Sequence, residues 1–578
     1  MASTINRSSG QIIYRAAKTQ AFPQVDLLTL LFDSPVCSAG DDTIIHADAT
    51  DPTKNITKSQ LRTLVTSTAH VFRHRYGVGA NGLNKDVALC IGSGHFLMPS
   101  LFYATIAAGG VFSASNPGST PKELSVQLSQ VHAKLLFCTP DTQATALAAA
   151  KLVGLPLNRV LVFTTSTTGT RNALSLAEAH SSLPVPISPD SHHPWTKITS
   201  PSALENSIIC VLFSSGTTGP PKGCKLSHTN IVSEAALVLD NVRDFYSVRN
   251  IPMEYRTIAH LPAAHIAGIQ GYFVNQFYLG GTVYWMRNFD FPLFLKYAKT
   301  HRMTSFFSVP PVFLAIAKSP LVTDQFDTID YAVSGAAPMG KELQAAAKRK
   351  LGKGKASLSQ TWGLSETTGS ITAIPRDWAE THGDDVTGSV SMLVANASAR
   401  IVDDEGRDVE PGRPGEIWVK GPQVVKGYWE NEEADRASFD KQGGGWFKTG
   451  DVAVFRGGLF YIVDRKKELI KYKGNQVAPA ELEALLITHP KIMDAAVIGV
   501  DAKNTEVPRA YVVTVDPKAV TAEEIVEWVA KQVSNHKRLR GGVVFLSAIP
   551  KSPSGKILRK DLRQLAKQEE GKVAASKL

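Results

Sequence analysis

Cysteine is scarce in this chain: five in 578 residues, at positions 37, 90, 138, 210 and 224. They are odd in number and far apart, and none forms a CxxC pair. That excludes a disulfide framework and a zinc knuckle and fits a reducing, intracellular compartment. Long hydrophobic runs are missing as well. The richest apolar stretch, Val87 to Ser115, is interrupted by His95, Pro99 and several glycines. It reads as a buried strand–helix pair and not as a membrane span. The opening MASTINRSSGQIIYRAAKTQ has no continuous apolar core of the secretory kind. Acidic residues are in deficit, 52 against 62 Lys and Arg, for a net charge of +10. The basic residues are dispersed, and the one dense group (Lys348, Arg349, Lys350, Lys353, Lys355) reads as a solvated helix end. No zinc finger, homeodomain-like helix or aromatic–basic platform accompanies it, so no nucleic-acid partner is expected.

What is present is a soluble globular composition, 43% hydrophobic and 20% charged, in a chain too long for one simple core. Strand-like runs such as DVALCIG, KLLFCT, RVLVFTT, SIICVLF, GTVYWM and TIDYAVS alternate with amphipathic helical runs. This predicts an α/β fold with layered, largely parallel strands. From about Ser389 the texture turns to short strands and tight turns, a β-rich subdomain. The last hundred or so residues read as a separate, small α+β unit. In it Pro479 opens one helix, Thr521 and Glu524 form a capping box for another, and VVFLSAI supplies a late strand. The expected division is a large N-terminal domain over 1–464, a hinge at 465–467, and a mobile C-terminal lid domain over 468–578.

One segment carries chemistry by itself. LFSSGTTGPPKG (212–223) lies between a strand-like run and a helix opened by a Ser or Thr cap. Gly216, Gly219 and Gly223 let consecutive N–H groups converge, and Ser214, Ser215, Thr217 and Thr218 add hydroxyls. Lys222 adds a cation, which completes an anion nest. The spacing is not that of a Walker A loop, because no Ser or Thr follows the lysine.

SSGTTGPPKGCKLSH resembles the signature loop of the adenylate-forming enzymes: acyl- and aryl-CoA ligases, luciferase and the adenylation domains of peptide synthetases. LPAAHIAG (261–268), SGAAPMGKEL (334–343), QTWGLSETTGS (360–370), GEIWVKGPQVVKGYW (415–429), GWFKTGD (445–451), YIVDRKKELIKYKGNQVAPAELE (461–483) and PKSPSGKILRKDL (550–562) resemble that family's blocks in order. The resemblance runs from NPGST (116–120) to Arg559 and is closest to 4-coumarate–CoA ligase-like enzymes.

The resemblance implies a carboxylic acid joined to the α-phosphate of ATP, with a thiol such as that of coenzyme A then displacing AMP. It implies that the 214–222 loop holds pyrophosphate and that Glu366 binds Mg²⁺. Ser365, where the family usually has threonine, keeps a hydroxyl for the α-phosphate. Gly335, Ala336 and Ala337 would floor the adenine site, with Gln360 and Gly363 nearby. Trp362, in place of the usual tyrosine, would stack on the base. Asp451 and Arg465 would hold the ribose, and His265 would line the acyl pocket. Lys556 would bridge substrate carboxylate and α-phosphate during adenylation. Lys471, Lys473, Gly474 and Gln476 would serve thioester formation, with the small domain turning about Lys467 between the two steps.

The expected function is an ATP-dependent acid–CoA ligase acting on a fatty, arylacetic or secondary-metabolite acid. The alternatives are a stand-alone enzyme loading a carrier protein and a 4-coumarate-type aryl-CoA ligase. Ala267 departs from the larger side chain of hydroxycinnamate users, Asn288 replaces a lysine that the family often has near the CoA phosphates, and Ala264 with His265 replaces the aspartate of amino-acid users. The terminal Ser576, Lys577 and Leu578 form an S-K-L address read by the peroxisomal import receptor, so a peroxisomal location is expected.

Overall fold

The runs of consecutive apolar residues become the centre of the largest sheet. Val87–Ile91, Val111–Ser115 and Leu135–Cys138 are buried along their whole length and pair in parallel, with Ile208–Ser214 and Val160–Thr168 added on either side. A strand buried on both faces has no solvated side to alternate towards, which is why these segments read as unbroken hydrophobic runs. The computed structural model describes residues 3–8, 11–168, 171–214, 221–378, 386–440, 444–502, 505–516, 520–552 and 555–575. Among them the sheet has eight strands, and its margins are antiparallel. No helix among the described residues is long and apolar enough to cross a membrane.

A four-stranded sheet (Arg256–Ala259, Thr282–Trp285, Ile44–Asp48, Asn55–Thr57) and a parallel three-stranded one (Ser305–Ser308, Tyr331–Ser334, Ser357–Gln360) complete the α/β layers. The β-rich part is an antiparallel sheet through Ser398–Val402, Gly415–Lys420, Trp446–Arg456 and Leu459–Arg465. Two strands from the N-terminus, Thr4–Ser8 and Gln11–Arg15, extend it through Gln11–Arg15 beside Ser398–Val402. The sequence reading assigned no structure there, because the segment is polar and its partner lies almost 400 residues away.

Two further expectations need correction. The segment between the glycine-rich turn and the helix His228–Val248 is a strand, Lys222–Ser227, antiparallel to Ile208–Ser214. The described residues on either side of 215–220 are therefore two antiparallel strands, and the helix begins only after the second of them. The late strand is also shorter than VVFLSAI, covering Val543–Phe545.

Beyond Arg465 a separate core forms. Ile492–Ala502 and Thr505–Thr514 pair antiparallel, Val543–Phe545 joins in parallel, and the helices Pro479–Thr488, Ala522–Ala530 and Arg559–Ala575 cover them. Thr521 and Glu524 form the expected capping box. Arg559 holds Glu483 with both carboxylate oxygens at 2.7 and 2.8 Å, tying the last helix to the first.

Candidate active site

The site lies where three loops of the large domain meet one loop of the small domain. The first loop follows Ser357–Gln360. Trp362 leaves that strand nearly buried and donates its indole N–H to Oδ2 of Asp451 at 2.8 Å. Asp451 arrives from the middle of Trp446–Arg456, where Arg465 sits opposite it in the register. Arg465 Nε approaches Asp451 Oδ1 at 3.2 Å. The Oδ1 atom makes no hydrogen bond and is buried, so one acceptor stays available between Trp362 and Arg465. A carboxylate fixed on one oxygen and open on the other suits recognition of a sugar hydroxyl.

Glu366 follows on a tight turn (Ser365–Thr367) closed by Thr368 at φ 58°. It is buried, and Tyr428 Oη donates to its Oε1 at 2.9 Å. Lys222 Nζ lies over the Tyr428 ring, 5.1 Å from its centre, so the base of the anion hairpin and Glu366 share one anchor. Cys224, fully buried behind them, contacts Glu366 and Ser214, and burial pushes its thiol far up. Among the described residues no cluster of three or more His, Cys, Asp and Glu side chains surrounds a metal position. A single firmly held carboxylate fits Mg²⁺, which keeps several waters and takes the rest of its shell from substrate phosphates.

The second loop carries His265. Its Nδ1 accepts the N–H of Ala267 at 3.2 Å. Burial, reinforced by Lys556, pushes the imidazole down to about 3, so the ring is neutral at working pH. A neutral ring with Nδ1 accepting carries its hydrogen on Nε2, which makes His265 a donor. His265 and Ala267 line a small apolar cavity with Leu261, Phe307, Val309 and Ala336. Ala336 sits at φ 69°, and a Cβ on Gly335 would stand 2.8 Å from the Phe307 ring. The backbone of this third loop is thus pressed flat against the sheet, as a floor under a planar ligand requires.

The small domain supplies Lys556. Gly555, at φ +77°, packs against Val309, where a Cβ would come within 2.9 Å. The Lys556 ammonium feels the charges of Arg465, Glu366 and Asp451, and its own charge acts on His265, so it lies on the side of the small domain that faces them. Burial, followed by the Arg465 charge, holds Lys556 below the usual lysine range, while Glu366 and Asp451 oppose that shift.

The structure therefore gathers Lys556, His265, Glu366, Ser365, Trp362, Gly363, Gly335, Ala336, Ala337, Asp451, Arg465, Ser214 and Lys222 around one cleft. Gln360 is close, but its amide is committed to Met339 and Gln344, so it braces the turn. Lys471, Lys473, Gly474 and Gln476 are elsewhere: all four are exposed on the small hairpin Ile470–Tyr472 and Asn475–Val477. Lys467 is exposed on the link between the two parts. Ser215, Gly216, Thr217 and Thr218, and the terminal Ser576, Lys577 and Leu578, lie outside the described residues. Sequence reasoning did not single out Tyr428, although KGYW contained it, nor the buried Glu234. The latter had a visible signal: an acid on an otherwise apolar helix face.

Residues 36–429 match the AMP-binding enzyme family and residues 481–556 its C-terminal domain. A protein of Emericella nidulans named for acyl-coenzyme A synthetase activity is 45% identical over 97% of this chain and 99% of its own. Phenylacetyl-CoA ligase of Aspergillus niger is 35% identical over 93% and 96%. 4-Coumarate–CoA ligase 1 of Petroselinum crispum is 37% identical over 84% and 86%. Among solved structures, ATP-bound MatB of Rhodopseudomonas palustris superposes with a TM-score of 0.77 at 24% identity, covering 93% of this chain and 98% of its own. The order of the motifs, the two family matches and these relatives agree: the chain belongs to the AMP-binding enzyme family.

Proposed function

We propose that the protein is an AMP-forming acid–CoA ligase that converts a carboxylic acid and ATP to an acyl-adenylate and pyrophosphate, then passes the acyl group to coenzyme A. The observation that carries this reading is the Lys556 ammonium turned from the small domain towards the charges of Arg465, Glu366 and Asp451 and towards His265. A carboxylate attacking an α-phosphate concentrates negative charge where few waters are available to stabilise it. A half-buried lysine aimed at that point supplies the stabilisation without reorganisation. Asp451 and Arg465 hold the ribose, Trp362 and the 335–337 floor hold the base, and the 214–222 hairpin with Lys222 holds the departing pyrophosphate. His265 Nε2–H donates towards the reacting carboxyl group. Mg²⁺ held by Glu366 would neutralise the phosphate oxygens. Its partner Tyr428 keeps that carboxylate oriented.

Lys471, Lys473, Gly474 and Gln476 belong to the second half-reaction. They reach the cleft after the small domain rotates about Lys467, the hinge in the 465–467 link. The acid belongs to the fatty, arylacetic or secondary-metabolite classes, in keeping with an acyl pocket walled by Leu261, Ala267, Phe307 and Val309. The terminal Ser576-Lys577-Leu578 directs the protein to the peroxisome through the import receptor.

The test is AMP release from ATP across a panel of carboxylic acids, with and without coenzyme A. Acid-dependent AMP formation that needs coenzyme A for turnover is the expected result. No acid-dependent cleavage of ATP overturns the proposal, and turnover with a carrier protein but not with coenzyme A reassigns the thiol.

A further inference from the structure

The small-domain helix Pro479–Thr488 carries no cap of its own. Ala478 precedes it without a side-chain acceptor, and Pro479 has no N–H, so the first amide to satisfy is that of Ala480. The acceptor comes from the large domain. Asp464 stands opposite Val452 on the strand Leu459–Arg465 and takes the Ala480 N–H on Oδ2 at 2.9 Å. Its Oδ1 accepts the N–H of Arg465 at 2.7 Å, and the residue is 5% exposed. At the other end of the helix the Lys318 ammonium donates to Ile487 O at 3.0 Å. An acid at the N-terminus and a cation at the C-terminus both suit the helix dipole.

The same carboxyl faces the chain that bears Lys556. Burial pushes Asp464 up, and the Arg559 charge leads the influences that oppose this. Arg559 donates to both oxygens of Glu483 on the capped helix, at 2.7 and 2.8 Å, and Glu483 accepts the Val497 N–H at 2.9 Å. Just before Arg559 the chain closes on itself. Leu558 N–H donates to Pro550 O at 2.9 Å, and Ser552 N–H donates to Lys556 O at 2.8 Å. Helix, arginine and the Lys556 turn are therefore tied into one piece, and Asp464 meets that piece from outside.

We propose that Asp464 is a positioning residue for Lys556: it caps the helix Pro479–Thr488 from across the domain boundary and so holds the arrangement in which Lys556 faces the large domain. The proposal rests on the acid–CoA ligase reading and its rotation about Lys467. Asp464 precedes that pivot and Ala480 follows it, so the rotation parts them. Both groups then meet water, and the cap is worth only the net difference of a hydrogen bond to a charged group. It biases the two arrangements without locking either.

Two measurements on the full-length enzyme test this. The first needs no substrate. A Cβ on Gly340 would lie 3.0 Å from Cβ of Ala484, so Gly340→Cys with Ala484→Cys forms a disulfide only while the helix is docked. Adding Asp464→Ala should slow that closure in oxidised glutathione, followed by mass spectrometry, about 3- to 10-fold, the scale of one such hydrogen bond. Asp464→Asn, which keeps one acceptor, should fall between, and carries the test should the alanine variant not fold. The second measurement separates the half-reactions. Asp464→Ala should lower acid-dependent ATP–pyrophosphate exchange by a similar factor, with thioester formation from supplied acyl-adenylate unchanged or faster. Oxidising the cysteine pair should restore exchange to this variant, because the covalent link replaces the cap. An unchanged closure rate overturns the inference. So does a defect that persists after cross-linking, which would make Asp464 act through its neighbour Arg465 on the ribose. A wild type without acid-dependent exchange defeats the ligase reading instead, and the closure rates then decide on the cap alone.

Discussion

Lys556 is a half-buried lysine whose ammonium faces two acids and one arginine, and its protonation decides whether it can work. Lys556→Ala should lower acid-dependent ATP–pyrophosphate exchange about 10²-fold, the effect of losing one transition-state donor. Thioester formation from supplied acyl-adenylate should survive. Because burial favours the uncharged amine, the cation is lost as pH rises through a value below that of a free lysine. The profile of kcat/KM for ATP should therefore show a falling basic limb in the free enzyme. Lys556→Arg, slower because its fork differs in shape, should lack that limb, since guanidinium stays charged. A limb that persists in the arginine variant assigns it to another group.

Trp362 makes a second residue-scale case. Its indole N–H on Asp451 is a hydrogen bond to a charged group, worth about 1.5–3 kcal/mol. Trp362→Phe keeps a flat ring for the base but releases the carboxylate, so KM for ATP should rise about 10-fold with kcat little changed. The sequence motif placed Trp362 and Asp451 in one site, but their bond was not legible in it. The residues are far apart in the chain, and the family's usual tyrosine gave no hint of an N–H. Glu234 was hidden in the same way: the sequence shows an acid on an apolar face, while its closeness to Gly369 comes only from packing.

At the scale of elements, periodicity and burial were readable and non-local pairing was not. The fully apolar runs became central parallel strands because such runs can be stable only with both faces covered. The polar strand Gln11–Arg15 forms only because Ser398–Val402 offers an edge, which no local pattern announces. The helix Pro310–Lys318 shows what elements do for the site. It ends in Lys318, whose ammonium donates across to the small domain, to Ile487 O at 3.0 Å and to Ile492 O. These are carbonyls at the end of one small-domain helix and the start of its first long strand. The contact is present in the arrangement that has Lys556 turned to the large domain, the one the proposed function assigns to adenylation. Lys318→Met keeps the aliphatic stem and removes the donor. Pyrophosphate exchange should fall about 3- to 10-fold, the scale of one net hydrogen bond from a charged group, with thioester formation from supplied adenylate unchanged or faster. An equal fall in both half-reactions would show that Lys318 only supports folding.

For the whole molecule, the structure presents one of the two arrangements that the proposed function requires. Lys556 is inside the cleft while Lys471, Lys473, Gly474 and Gln476 face solvent, and both sets belong to one small body built on a shared core. Under the proposed function the two sets serve different half-reactions and cannot enter together, so the complete reaction would need a rigid-body rotation, the hinge type of transition. The interface offers a direct way to stop it. Gly340 caps the helix Lys341–Lys348 at an ordinary φ of −63°, and a Cβ there would lie 3.0 Å from Cβ of Ala484 on Pro479–Thr488. A shift of about 0.5 Å gives the spacing a disulfide needs. The five native cysteines are all buried, so Gly340→Cys with Ala484→Cys introduces the one readily oxidised pair. Oxidised, this variant should retain acid-dependent pyrophosphate exchange and lose coenzyme A-dependent turnover, because the lock holds Lys556 in place and keeps Lys471 out. Reduction with a dithiol should restore turnover, and each single-cysteine variant should be insensitive to oxidant. Full turnover by the cross-linked enzyme would mean that both half-reactions run in the arrangement seen here, and that the exposed 471–476 hairpin has no part in the second.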